Sequence, residues 1–162
     1  MESLLPLAEK IAALLKKRGE TLSVAESSTG GLIAASLLAV PGASAYFIGG
    51  VVVYTRASRV ALLGIADAEM AGMRASTEAY ALLCARRMRE KNESAWALGE
   101  TGATGPTGNR YGDAAGHSCI AVVGPSMERA ITLETGSADR QANMRAFAKR
   151  ALEFFEEVLK TT

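Results

Sequence analysis

Apolar residues recur at helical spacing near both ends of the chain. From Leu4 to Leu15 they return every three or four positions, and the run "KKRG" closes the pattern, which predicts a first helix capped by Ser3 and ended by Gly19. A similar apolar stripe predicts a long last helix over residues 139–160. Further helices are predicted over residues 30–40, 56–64 and 77–90, the second of them ending at a glycine.

Short apolar runs between turn residues predict the strands. They are "TLSVA" (21–25), "FIGGVVVYT" (47–55), "SAWALG" (94–99), "HSCIAVV" (117–123) and "RAITLET" (129–135). The fifth run lies close enough to the fourth to pair with it. Because helices and strands alternate throughout, we expect a single α/β domain over residues 1–162, with helices over both faces of one mixed sheet.

Residues 27–55 contain no charged side chain, and a stretch of that length could suggest a membrane span. Pro41 and Gly42 divide it into "LIAASLLAV" and "AYFIGGVVVY", and each piece is too short to span a bilayer. We therefore expect a buried helix followed by a buried strand, and no association with a membrane.

Composition narrows the classes of function. The 18 Lys and Arg residues against 17 Asp and Glu give a net charge of +1, which offers no strong field for nucleic acid. Cys84 and Cys119 lack metal-type spacing and His117 is the single histidine, so no His-rich metal site is possible, although carboxylates could still bind a cation. The start "MESLLPLAEK" lacks a signal-peptide pattern, so we expect a reduced, cytoplasmic protein, and we predict no metal or cofactor.

The stretch "VAESSTGG" (24–31) is the first candidate for chemistry, because it joins a predicted strand to a predicted helix. At such a junction the first N–H groups of the helix are unpaired and favour an anion. Ser28 or Thr29 could cap the helix, and Gly30 and Gly31 let a ligand come close. Three consecutive hydroxyls exceed what capping needs, so a nucleophile at the helix start competes with the interpretation that all of them are caps.

The glycine-rich stretch "GETGATGPTGNRYGD" (99–113) is the second candidate, and we predict a long loop here between two strands. Thr101, Thr104 and Thr107 are interleaved with the glycines. Their hydroxyls and the backbone N–H groups could hold phosphate or ribose oxygens. A mobile surface loop without a chemical role is the alternative.

Several single residues are further candidates. Glu26 and Glu100 directly follow strands, where doubly wound sheets place their ligand crevice. Tyr54 closes a strand and is expected either at a rim or in contact with substrate. His117 and Cys119 share one strand face by their spacing, and we expect both to be packing residues. Basic residues that could meet an anionic ligand are Arg56, Arg59, Arg110, Arg140 and Arg145.

Four ordered motifs carry a resemblance to a known family: "AESSTGGLIAASLLAVPGAS", "GGVVVYTRASRVALLGI", "TGATGPTG" and "GHSCIAV". Together they resemble the C-terminal domain of the competence/damage-inducible CinA proteins, a family that includes nicotinamide-nucleotide amidases, over residues 5–160. The resemblance implies a three-layer α/β/α sandwich, often a dimer, that hydrolyses nicotinamide mononucleotide to nicotinate mononucleotide and ammonia without a metal. The expected partners are a small nucleotide substrate and a second copy of the chain.

The resemblance also implies roles for particular residues. Ser27 matches the serine of the family's "AESCTGG" segment, the nucleophile. Thr101, Gly102 and their neighbours as far as Gly105 match its "TGIAGP" loop, which lines the site. A basic pair near the last helix, suited to the phosphate, is matched by Arg140 and Arg145.

Two lysines of the family are replaced in this chain. Arg59 stands at the lysine of the family's "NEAK", and Asp113 stands at a lysine before its "PVG". A buried lysine can lose its proton and act as a base, whereas arginine stays protonated in proteins. Arg59 could still orient a phosphate or stabilise an oxyanion, with Glu26, Glu100 or a water-linked carboxylate as the base. The family cysteine next to the nucleophile is Ser28 here.

The first hypothesis is an amidase for a pyridine nucleotide or a related phosphoribosyl carboxamide, in which Ser27 attacks the carbonyl and residues 101–105 stabilise the oxyanion. The alternative is a nucleotide-binding module of the same family that kept the pocket and lost the base. A role as a DNA-linked competence factor is the third hypothesis. The first two require that the start of the second helix and the glycine-rich stretch border one pocket, with the Ser27 oxygen facing inward.

Overall fold

The computed structural model describes residues 2–162. In chain order its elements are α1 (Leu5–Arg18), β1 (Leu22–Glu26), α2 (Leu32–Leu38), β2 (Phe47–Val52), α3 (Arg56–Ser58), α4 (Glu78–Asn92), β3 (Trp96–Ala103), β4 (His117–Val123), β5 (Glu128–Glu134) and α5 (Arg140–Thr161). The short α3 continues as a π-helical turn over Arg59–Leu63. Two 3-10 turns cover Ala43–Ala45 and Asp67–Met70.

The strands form one mixed sheet in the order β2-β1-β3-β4-β5. Strand β1 is parallel to β2 and β3, while β4 is antiparallel to both β3 and β5. The predicted mixed sheet and the predicted pairing of the last two strands are therefore confirmed. Because β2, β1 and β3 run in the same direction, the residues that follow them meet at one edge of the sheet.

Alternate residues of the strands face two separate layers of helices. Leu22 and Val24 of β1 pack with α1, α2 and α5, whereas Ala25 packs with α4 and with Val53 and Leu63. Burying both faces of a central sheet under helices is the layer arrangement that α/β chains use. The expected three-layer α/β/α sandwich is confirmed.

Glycines allow the helices to approach the sheet closely. A Cβ atom at Gly99 would lie 2.2 Å from the carbonyl oxygen of Ala81 in α4, and one at Gly50 would lie 2.9 Å from Cβ of Ala34 in α2. Gly49, by contrast, has no atom within 4 Å of its Cβ position. Of the two neighbouring glycines in β2, Gly50 alone is in close contact with a helix.

Some predicted element ends differ from the structure. Leu4 precedes α1 without a side-chain cap, so the cap predicted at Ser3 is wrong, whereas Gly19 ends the helix in the left-handed conformation as expected. Helix α2 begins at Leu32 because Gly30 and Gly31 have φ values of +65° and +100°, outside the helical region.

The uncharged stretch 27–55 forms α2 and β2, so the predicted helix followed by a strand is confirmed. The prediction that this strand is buried is wrong, because β2 lies at the edge of the sheet and Ile48 and Val52 are exposed. Within residues 2–162, no helix is long and apolar enough to cross a membrane.

The largest difference concerns the glycine-rich stretch. Strand β3 continues to Ala103, so Thr101 and Gly102 lie in the strand and pair with Cys119 and Ser118 of β4. The prediction of a loop from residue 99 onward is wrong for these positions, because pairing with β4 outweighs the weak strand preference of glycine. The connection to β4 covers residues 104–116.

Candidate active site

The polar groups of the loop between β1 and α2 are hydrogen-bonded to two carboxyl groups of the protein itself, those of Glu26 and Glu100. Glu100, which is 3% exposed, accepts hydrogen bonds at 3.0 Å from the backbone N–H groups of both Ser27 and Thr29. The Ser28 hydroxyl also donates to Glu100, and the Ser118 hydroxyl donates at 3.1 Å. Glu100 therefore occupies the position where the sequence led us to expect a bound anion.

Glu26 similarly accepts hydrogen bonds from the backbone N–H groups in the first turn of α2. Its carboxyl accepts hydrogen bonds from the N–H groups of Ile33 at 3.1 Å and Ala34 at 3.0 Å, and from the Thr29 hydroxyl at 2.6 Å. Burial raises the pKa of Glu26 above its usual value, although these hydrogen bonds oppose the shift. The helix N–H groups are therefore occupied, and Glu26, Ser28 and Thr29 hold the loop together instead of contacting a ligand directly.

A cavity of 280 Å³ opens at the carboxyl edge of the parallel strands. Its lining includes Ser27 after β1, Tyr54 after β2, and Thr101 and Gly102 at the end of β3. As predicted, Ser27 and the glycine-rich stretch border one pocket, but Ser27 lies in the loop before α2, and no residue of α2 lines the cavity. The remaining lining residues are Val53, Thr55, Arg56, Arg59, Ala75, Ser76, Tyr80, Asn109, Arg110 and Tyr111.

Ser27 differs from the two hydroxyl residues that follow it. Ser28 and Thr29 are buried and their hydroxyls are bonded to Glu100 and Glu26, whereas Ser27 is half-buried and lines the cavity. Within residues 2–162 the Ser27 hydroxyl has no hydrogen-bond partner, while its backbone N–H is held by Glu100. The structure thus leaves one hydroxyl of the "SST" run available for chemistry at the cavity.

Arg59 forms part of the cavity wall at the start of the π-helical turn, a feature frequent at functional sites. Its Nε donates to the Ile65 carbonyl at 3.2 Å, and the guanidinium also pairs with Asp67. Asp67 is shared with Arg56, whose hydrogen bonds lower the pKa of the carboxyl to about 2. Two guanidinium groups on one carboxylate leave this wall positively charged.

The connection between β3 and β4 is held by an ion pair. Arg74 binds the Asp113 carboxylate with both terminal nitrogens, at 2.6 and 3.0 Å, and Asn109 donates to the same carboxylate at 2.7 Å. The guanidiniums of Arg74 and Arg110 each lie over the Tyr111 ring, 5.1 Å from its centroid. Asp113 is therefore a structural anchor of this loop.

The remaining predicted residues lie at or beyond the rim of the cavity. Arg140 donates to the Gly105 carbonyl at 2.7 Å and to the Tyr54 hydroxyl at 3.1 Å, so it supports Tyr54 from outside the cavity. Arg145 is exposed on α5, and neither arginine lines the cavity. Gly30, Gly31 and Gly105 are likewise absent from its lining. The positive side chains in the wall are instead Arg56, Arg59 and Arg110.

Sequence reasoning did not identify Ser76, Tyr80, Asn109 or Tyr111 as site residues. Asn109 and Tyr111 belong to the quoted glycine-rich stretch and line the cavity, but their side chains were not among the predicted candidates. Ser76 and Tyr80 flank the start of α4, and no sequence signal connects them with the cavity. Burial raises the pKa of Tyr80, which therefore keeps its proton at neutral pH.

Taken together, the mixed sheet, its two helical layers and the cavity at the carboxyl edge define a three-layer α/β domain with a polar cavity at the end of its parallel strands. A family model for the CinA C-terminal domain matches residues 4–159, and the chain belongs to this family. The resemblance inferred from the motifs is confirmed.

Relatives share this domain within longer proteins. A CinA-like protein of Gloeobacter violaceus is 40% identical over 131 residues, covering 81% of this chain and 31% of that protein. A CinA-like protein of Chloroherpeton thalassium is 36% identical over 168 residues, covering 98% of this chain and 38% of that protein. The chain thus spans about a third of the length of these curated relatives.

Solved structures share the fold over nearly the whole chain. A CinA superfamily protein from Klebsiella pneumoniae has a TM-score of 0.92 and 24% identity, with 98% of this chain and 99% of that chain covered. The competence/damage-inducible protein CihA from Agrobacterium tumefaciens has a TM-score of 0.88 and 27% identity, with 97% and 95% covered.

Proposed function

We propose that this chain is a carboxamide hydrolase that acts on nicotinamide mononucleotide or a closely related nucleotide, with Ser27 as the nucleophile. One observation carries the proposal: Ser27 alone of the three hydroxyls in its loop lines the cavity with no hydrogen-bond partner in the described residues. Attack of the Ser27 oxygen on the carboxamide carbon would release ammonia and leave an acyl-enzyme, which water then hydrolyses.

Neighbouring groups support this chemistry. The Thr101 hydroxyl lines the cavity and accepts a hydrogen bond from the Ser76 N–H at 3.2 Å, so its own proton can be donated to a developing oxyanion. Glu100 fixes the Ser27 backbone and thereby the position of the nucleophile. The guanidiniums of Arg56, Arg59 and Arg110 suit the phosphate of a mononucleotide.

Ammonia release from nicotinamide mononucleotide by the purified chain tests the proposal. We expect Ser27→Ala to lower turnover by roughly 10³-fold or more while nucleotide affinity is retained, because the hydroxyl forms the covalent bond. Ser28→Ala is the matched control, since it removes a hydroxyl bonded to Glu100 and should reduce stability more than turnover. Normal turnover in the Ser27→Ala protein would remove this serine from the mechanism.

A second candidate is a nucleotide-binding module without turnover, and one observation favours it. In the described residues no carboxylate, lysine or histidine lines the cavity, and Glu26 and Glu100, which we predicted as possible bases, are held by other donors. This candidate predicts calorimetric binding of nicotinamide mononucleotide without ammonia release. It also predicts a gain of turnover in Arg59→Lys, whose amine can lose a proton.

A further inference from the structure

His117 bridges two groups that can only accept hydrogen bonds. The ring Nδ1 contacts the Glu134 carboxylate, and Nε2 lies 2.9 Å from the backbone carbonyl oxygen of Ser76. A neutral imidazole has one N–H donor, whereas an imidazolium has two. Both contacts are hydrogen bonds at the same time when the ring carries a proton on each nitrogen, which makes His117 a cation.

Ser76 connects this ring to the cavity. It lines the cavity with a φ of +59°, a left-handed conformation that is uncommon for residues other than glycine and costs free energy. Both backbone polar groups of Ser76 are fixed, because its N–H donates to the Thr101 hydroxyl and its carbonyl accepts from His117. Thr101 lines the cavity as well, so one histidine on β4 supports two residues of the wall.

We propose that His117 is a positioning residue of this site, whose imidazolium holds Ser76 in its strained conformation and keeps Thr101 in place for the bound nucleotide. The choice of nicotinamide mononucleotide as a probe rests on the proposed function. The support of the wall by the protonated ring does not depend on that choice.

The groups around the ring favour its charged form. Glu134 faces it from β5, Asp113 lies 3.9 Å from Nε2 in the loop, and the Cys119 thiol on β4 lies 3.5 Å away. Glu78 on α4 reaches this region through Thr132, while the cation of Arg74 is neutralised by Asp113. Burial lowers the pKa of His117, but Glu134, the Ser76 carbonyl and Asp113 together raise it above its usual value.

The raised pKa of His117 determines how the stability of the folded protein changes with pH. A group whose pKa is raised on folding stabilises the folded state fully below its unfolded value, about 6.5 for histidine. That stabilisation is lost as pH rises through the raised pKa of His117 in the folded protein. The hydrogen bond to Ser76 should be lost over the same pH range.

Because His117 is the single histidine, nitrogen-15 NMR reports on it without ambiguity. We expect both ring nitrogens to be protonated at pH 6, a pKa above 6.5, and amide shifts of Ser76 and Thr101 that titrate with the ring. Glu134→Gln should lower the pKa of His117, whereas Glu128→Gln, on the same strand but paired with Arg86, should leave it unchanged. A neutral ring at pH 6, or a titration that leaves the Ser76 and Thr101 amides unmoved, would overturn the proposal.

Calorimetric affinity for nicotinamide mononucleotide between pH 6 and 9 provides the functional readout. We expect wild-type affinity to fall by about ten-fold as the ring deprotonates, the effect of one ordinary hydrogen bond. His117→Gln, whose amide can still donate to the Ser76 carbonyl, should bind well without this pH dependence, and His117→Leu should bind weakly at every pH. Equal binding by the two variants would contradict the proposal. If wild-type protein binds no nucleotide, the proposed function fails, and the NMR titration alone decides the role of His117.

Discussion

The Thr29 hydroxyl lies between two buried carboxyl groups but has only one proton to donate. Its oxygen is 2.6 Å from the Glu26 carboxyl and 3.0 Å from that of Glu100. Both contacts are hydrogen bonds if one carboxyl is protonated and donates to the hydroxyl, which then donates to the other. We expect the proton to reside on Glu26, because burial raises its pKa, while Glu100 accepts the larger set of hydrogen bonds. In that arrangement Glu26 donates to the Thr29 hydroxyl, which donates to Glu100.

Neutralising the two glutamates should have different effects at pH 7. Glu26→Gln resembles the protonated side chain, so we expect the free energy of unfolding to change by no more than about 1 kcal/mol. Glu100→Gln removes a buried charge that pairs with the N–H groups of Ser27 and Thr29, and we expect a loss of about 3–5 kcal/mol. Urea unfolding of the two variants measures the difference, and equal losses would contradict this assignment of the proton.

The pH dependence of stability provides a second check on Glu26. Because folding raises the pKa of this carboxyl, its contribution to stability is complete below the unfolded value of about 4.3 and is lost as pH rises through the folded value. We expect Glu26→Gln to remove this part of the slope in a plot of melting temperature against pH. An unchanged slope would mean that folding does not raise the pKa of Glu26.

At the scale of single residues, the sequence predicted that Ser27 lies between a strand and a helix, but it did not predict the hydrogen-bond partners of the neighbouring residues. The acid and hydroxyls of "VAESSTGG" indicated a site, because they exceed what helix capping requires. The group that occupies the N–H donors is Glu100, 73 residues from Ser27. No local pattern could reveal that contact, since it depends on the pairing of β1 with β3.

At the scale of elements, two strand glycines offer a matched test of packing. We expect Gly99→Ala to destabilise the fold by about 1–3 kcal/mol, because the added Cβ would lie 2.2 Å from the backbone of α4 at Ala81. Gly49→Ala, with no atom near its Cβ position, should be neutral or stabilising by up to about 1 kcal/mol. Thermal unfolding compares the two variants, and similar melting temperatures would show that α4 can shift away from β3 without cost.

Element types were easier to predict than element ends. Periodicity identified the main helices and all of the strands of the described sheet, because each buries an apolar face against a separate layer. The end of β3 was missed because "GETGATG" has the composition of a loop, and only pairing of Thr101 and Gly102 with β4 makes it a strand. Such pairing is a tertiary effect that overrides local preference.

At the scale of the whole molecule, the cavity is assembled from segments that are far apart in sequence. Ser27 follows β1, Arg59 follows β2, and Asn109 lies in the connection after β3. Solved relatives at 24–27% identity keep this fold. Within that fold, Asp113 forms an ion pair with Arg74, which joins the loop to the segment before α4.

This ion pair should control how often the loop opens. The pair is partly exposed, so its loss should lower the global free energy of unfolding by no more than about 1 kcal/mol. Proteolysis of a native protein follows local opening, so we expect Asp113→Ala to increase tryptic cleavage after Arg110 several-fold at an almost unchanged melting temperature. The charge-reversed double variant Arg74→Asp with Asp113→Arg should restore slow cleavage, because the pair can form again. If the double variant is cleaved as quickly as Asp113→Ala, the ion pair is not what holds the loop closed.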